Sequence, residues 1–116
     1  MNEEMKNELI KLGVEIERAA ARFAGKYDRL RKYLLIHVEQ NFYGKLKEAL
    51  DNDDIEAAER YSHSLKGDFR NFEFCELADN MEKINETLKT GTKEGVLQLL
   101  EDMDDSYKKI CDTVKL

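Results

Sequence analysis

The chain has 116 residues, of which 41% are apolar and 38% charged, enough for one domain with a core beneath a heavily charged surface. It carries 19 Lys and Arg against 25 Asp and Glu, a net charge of −6. This argues against generic nucleic-acid or anionic-membrane binding, both of which favour a basic face. Strongly apolar runs such as Leu34-Leu35-Ile36 are too short to span a bilayer, and Met1 to Lys11 lacks the apolar stretch of a signal peptide. Cys75 and Cys111 fit neither a metal spacing nor a disulfide framework, so the expectation is a cytoplasmic protein with reduced thiols.

Proline is absent and only six glycines occur, where the usual ~5% frequency would supply about six prolines. Folds rich in turns recruit both residues; long helices need neither. Apolar residues recur near every 3.6 positions with no sustained alternation, which predicts an all-α domain over residues 1–116 with a radius of gyration of about 13 Å. Asn2 to Leu12 reads as a short helix ending near Gly13. Val14 to Ala24 reads as a second, stopped by Gly25. Tyr27 to Leu50 keeps helical spacing from Leu30 through Leu50, with Gly44 inside it at a cost of about 1 kcal/mol if the helix is unbroken. Asp51-Asn52-Asp53-Asp54 is a turn, and Asp53 or Asp54 can cap a helix from Ile55 to Asn71. Further helices run from Phe74 to Lys89 and from Thr92–Gly95 to Val114. Short loops between the long helices imply an up-down-up-down antiparallel four-helix bundle, with one or two short N-terminal helices packed at one end.

The Ile55–Asn71 segment carries the chemistry. At 100° per residue, Ala58, Tyr61, Leu65, Phe69 and Phe72 form the core side opposite His63. Glu56, Glu59, Lys66, Gly67 and Arg70 fall within about 60° of His63, predicting an exposed histidine on a charged stripe. Gly67 is anomalous, because a mid-helix glycine costs about 1 kcal/mol against Ala and no turn is needed there. A missing side chain lets another molecule's backbone come close. Neutral imidazole is a nucleophile near pH 7, the Lys66 ammonium one turn away can offset a phosphoryl group's charge, and Glu59 can orient the ring. On spacing alone, a plain surface histidine among ordinary charges is an equal reading.

His63-Ser64-Leu65-Lys66-Gly67, preceded by the acidic turn and Ile55 to Ser62, resembles the signature helix of histidine phosphotransfer (HPt) domains. The likeness continues at Leu77, Ala78, Met81, Glu82 and Ile84, and covers about residues 13 to 110. The resemblance implies a phosphocarrier without turnover of its own. His63 would accept a phosphoryl group from a receiver-domain aspartate, with a hybrid sensor histidine kinase as a possible source, and pass it to another receiver. It implies no cofactor on this chain, with Mg²⁺ on the partner receiver only, and a monomer. The residues agree in showing no phosphate-cradling glycine loop and no metal-ligating cluster. The natural-looking start at Met1 favours a free-standing protein.

Departures from the family pattern point to narrowed partner choice, or to a degenerate module that binds a receiver or kinase without transfer. Arg70 lies two turns beyond His63 on the same face, where it can pair with the phosphoryl group or an acidic receiver pocket, or obstruct one. Glu73 stands where a glycine is usual, predicting altered geometry at that corner. Asn85 matches a position where some members place an amide near the histidine; a polar rim residue is the plainer reading. His37 reads as a half-buried or boundary residue, and Cys75 and Cys111 as core or boundary thiols.

Overall fold

In a computed structural model that describes all 116 residues, the chain forms seven helices and no sheet: α1 Glu3–Lys11, α2 Ile16–Ala21, α3 Tyr27–Gln40, α4 Phe42–Asp51, α5 Ile55–Asn71, α6 Cys75–Lys89 and α7 Val96–Val114. Local chemistry sets their ends. Asn2 caps α1 by accepting from the Met5 N–H at 2.8 Å, with Glu3 and Glu4 in the first turn where acidic side chains favour the helix dipole. Asp54 caps α5 by accepting from the Ala57 N–H at 3.1 Å. Gly91 and Gly95, both with positive φ, let the chain reverse between α6 and α7 at no steric cost.

The long segment read as one helix from Tyr27 to Leu50 is broken. Asn41 adopts a left-handed conformation, φ 52°, ends α3, and caps α4 by accepting from the Gly44 N–H at 3.3 Å. Gly44 thus belongs to the first turn of a new helix. A Cβ there would lie 2.5 Å from the Asn41 side-chain amide, so glycine is what leaves room for the cap.

α3 and α4 act together as one kinked arm of a four-helix bundle. α5 lies against α4 and α6, and α7 against α6 and α3; three tight connections make sequential neighbours antiparallel. The molecule is elongated, 42 × 24 × 21 Å with a radius of gyration of 14.2 Å, slightly more extended than a compact sphere of this length. Its core is a single cluster running through every helix, with Leu9, Leu30, Leu46, Leu65, Phe69, Met81 and Ile84 wholly enclosed. No helix is long and apolar enough to cross a membrane.

The N-terminal helices close the end of the bundle at the α5–α6 corner. Val14 pairs with Phe74 in an isolated antiparallel bridge, and the Glu15 N–H donates to the Glu73 carbonyl at 3.3 Å. Glu73 takes φ 58°, the left-handed conformation that glycine adopts freely. The altered corner expected from the sequence is therefore an altered side chain on a glycine-type backbone. The buried Glu73 carboxylate receives the Arg22 guanidinium at 2.9 Å.

Candidate functional site

Ala57, Ala58, Ser62, Leu65 and Phe69 are the buried residues of α5. Their spacing sets which side of the helix is buried, so Glu56, Arg60, His63, Gly67 and Arg70 emerge in solvent while Glu59 and Lys66 stand half-buried at the margin. His63 lies on this exposed face, and it lines neither the cleft between α6 and α7 beside Cys75 nor the one between α4 and α7 beside Tyr43. An exposed helix face suits contact with another macromolecule, whereas small-molecule sites are concave.

Gly67 is exposed within regular helix, and a Cβ built on it meets no atom within 4 Å. Nothing inside the fold requires glycine here, in contrast to Gly44. Lys66 forms no ion pair, and neither does Arg60, which at about 60° from His63 flanks it from the side opposite Lys66. Arg60 was absent from the sequence reading, although its place three residues before the histidine mirrors that of Lys66 three residues after.

Arg70 is not free to reach outward. Its guanidinium turns onto α6, 2.9 Å from Glu82 and 3.8 Å from Asp79. The expectation that Glu59 orients the His63 ring also changes. No hydrogen bond joins the two; Glu59 instead accepts from the Asn85 amide through its carbonyl at 3.1 Å and its carboxylate at 3.3 Å. Asn85 is wholly buried, so the rim reading gives way to a peg beneath α5. Its Nδ2 also donates to Ser62 Oγ at 2.9 Å, one residue before His63, and thereby ties α6 to the turn that carries the histidine.

His37 is the larger correction. It is only 3% exposed, not a boundary residue, and bridges Asp68 of α5 through Nδ1 and Tyr107 of α7 through Nε2, both at 2.9 Å. The sequence shows His37 beside Leu34, Ile36 and Val38, which gave no sign of polar partners on two distant helices. Cys75 is exposed, contrary to the core or boundary reading. Partial desolvation of its sulfur and the neighbouring Glu73 carboxylate still push its thiol above the ordinary value. Burial likewise raises the half-buried Cys111, and a raised pKa disfavours the reactive thiolate at both positions. No group of three or more His, Cys, Asp or Glu side chains is arranged to hold a metal ion.

A family model described as Hpt domain matches residues 35–113. The match begins within α3, leaving α1, α2 and the start of α3 outside it, whereas the resemblance read from the sequence began near Gly13. No curated protein and no solved structure matches the chain. Hpt domains are phosphocarriers that serve two-component signalling together with receiver domains and kinases. With most of its length matched, including all of α5 and its exposed histidine, the chain belongs to the Hpt domain family.

Proposed function

We propose that this chain is a phosphocarrier of a two-component relay, in which His63 takes a phosphoryl group from a receiver aspartate and passes it to another receiver. The observation that carries the reading is Gly67. Its helix cost of about 1 kcal/mol has no return within the fold, because a Cβ would meet open space. It gains a purpose when a partner's surface must come within contact distance of the helix, one turn from His63.

In the transfer, a ring nitrogen of neutral His63 attacks phosphorus and forms the N–P bond. The P–O bond to the aspartate breaks, and the carboxylate leaves with its electron pair. The ring becomes positively charged and can release the proton on its other nitrogen to water. The reverse sequence hands the group on. The unpaired Lys66 and Arg60 cations flank the ring and offset the phosphoryl charge. The divalent cation of the reaction belongs, on this reading, to the receiver, and the carrier acts as a monomer without a cofactor.

Incubation with a phosphorylated receiver, followed by mass spectrometry of the carrier, tests the assignment. The expected result is one added phosphoryl group on His63; a group found on another residue overturns it.

A further inference from the structure

His37 is a buried, polar, hydrogen-bonded residue that the transfer chemistry leaves unused. The Asp68 carboxylate can only accept, so Nδ1 of His37 carries the proton of that bond, and in the neutral ring Nε2 accepts from the Tyr107 hydroxyl. One side chain on α3 thus links α5 to α7. Asp68 directly follows Gly67 in the chain.

The backbone of α5 runs close to α4 and α6 but stands farther from α3 and α7. The intervening space is filled by aromatic rings, with Phe69, Phe72 and Phe74 meeting the His37 ring edge-on at centroid distances of 5.8, 5.5 and 6.5 Å. Apolar packing is largely non-directional, whereas a hydrogen bond weakens steeply as its angle departs from linear. Among these rings, the bond from His37 to Asp68 is the directional contact on α5, and the Tyr107 hydroxyl on α7 holds the His37 ring that makes it. On the other side of His63, Asn85 pegs the helix at Glu59 and Ser62. The phosphoacceptor turn is therefore held from both sides.

We propose that His37 and Tyr107 are positioning residues for phosphotransfer: acting through Asp68, they fix the rotation of α5 and with it the direction in which His63 and Gly67 face the receiver. The proposal rests on the phosphocarrier reading of His63. It goes beyond that reading by assigning a role to three residues remote from the reacting atoms.

The test compares wild type with His37→Leu, Tyr107→Phe, Asp68→Ala and Asp68→Asn, all measured well below their melting temperatures. Three quantities are read for each: labelling of His63 by the small donor phosphoramidate, the Kd for an unphosphorylated receiver, and the transfer rate at saturating phosphorylated receiver. Small-donor labelling needs no docked partner and is expected to match wild type throughout. Transfer at saturation is expected to fall on the order of tenfold or more in His37→Leu and Asp68→Ala, since a displacement of about 1 Å can cost as much as a hundredfold. Tyr107→Phe falls less, and Asp68→Asn, which keeps an acceptor for Nδ1, recovers most of the wild-type rate. Transfer at wild-type rates in His37→Leu and Asp68→Ala overturns the positioning role while leaving the phosphocarrier reading intact, as does a fall in which small-donor labelling drops in parallel. Should His37→Leu not fold, Tyr107→Phe and the Asp68 pair decide the matter alone. A wild-type chain that takes no label from any receiver removes the phosphocarrier reading and this proposal together.

Discussion

Arg22 and Glu73 meet at 2.9 Å across the α5–α6 corner, although 51 residues separate them in the chain. Glu73 holds a left-handed backbone, which strains any residue with a Cβ, and its carboxylate is mostly enclosed while Arg22 remains half exposed. Arg22→Ala leaves that carboxylate without its partner and is expected to cost about 1–3 kcal/mol. Glu73→Gly removes the charge, the pair and the strain together, so its cost is expected to be smaller. Urea denaturation of both variants checks the ranking; a Glu73→Gly protein less stable than Arg22→Ala contradicts it.

Asn85 acts through its donors, since its Oδ1 has no partner while Nδ2 faces Glu59 and Ser62. Asn85→Ala is expected to lower stability by about 1–3 kcal/mol. Asn85→Asp is expected to be worse although nearly isosteric, because it places a carboxylate in a buried site facing the oxygens of Glu59 and Ser62, and a buried charge without a partner is costly. Thermal melts at pH 7 should order wild type above Ala above Asp. An Asp variant as stable as wild type counts against the donor account.

Gly67 separates stability from function. A Cβ there meets open space in regular helix, so Gly67→Ala should gain up to about 1 kcal/mol of stability from helix propensity. Gly67→Gln should likewise leave the fold intact but slow transfer from a receiver sharply, because its longer side chain occupies the approach to His63. A Gln variant that melts no lower than wild type and transfers just as fast removes the close-approach argument.

Alkaline pH should unfold the bundle from the side of α7. Burial pushes the Tyr43 hydroxyl well above its ordinary value of 10.0, and the hydrogen bond to the Asp104 carboxylate pushes it further. Burial does the same for Tyr107. A group whose pKa is raised on folding contributes stability that is whole below its unfolded value and lost as pH rises beyond it. The share of stability that Tyr43 and Tyr107 contribute is therefore expected to be whole up to about pH 10, the value for unfolded tyrosine, and to fall above it. Asp104 supplies the opposite limb. Burial alone would raise its carboxyl, but hydrogen bonds from Lys47 and Tyr43 outweigh that and hold it below 3.8. Its contribution is present above that value and lost as pH falls through the lowered one. Denaturation midpoints across pH, with Tyr43→Phe alongside, test both limbs; a Tyr43→Phe protein that loses as much stability between pH 9 and 11 as wild type excludes Tyr43 as a source.

Much of this architecture is written in periodicity. The Leu and Ile spacing of α5, α6 and α7 gave their ends to within a few residues, because burial of one face is a repeating, local signal. The exposure of His63 and Gly67 followed from the same angular arithmetic. The break at Asn41 was not legible, since it rests on one residue taking a left-handed conformation that any Asn can adopt or decline. The His37–Asp68–Tyr107 bridge was invisible for a different reason. Its members lie 31 and 70 residues from His37, and a polar contact between helices leaves no periodic trace. Arg70 was placed on the correct face, yet its direction was set by Glu82 on α6, a partner the helix alone could not reveal.

The central claim concerns His63, and the most direct measurement follows radiolabel from phosphorylated receiver domains onto wild type and His63→Ala in parallel. The account predicts acid-labile, alkali-stable label on wild type, its rate differing among receivers, and none on His63→Ala. Equal label on both proteins, or receivers that bind wild type yet transfer nothing to it, would contradict it.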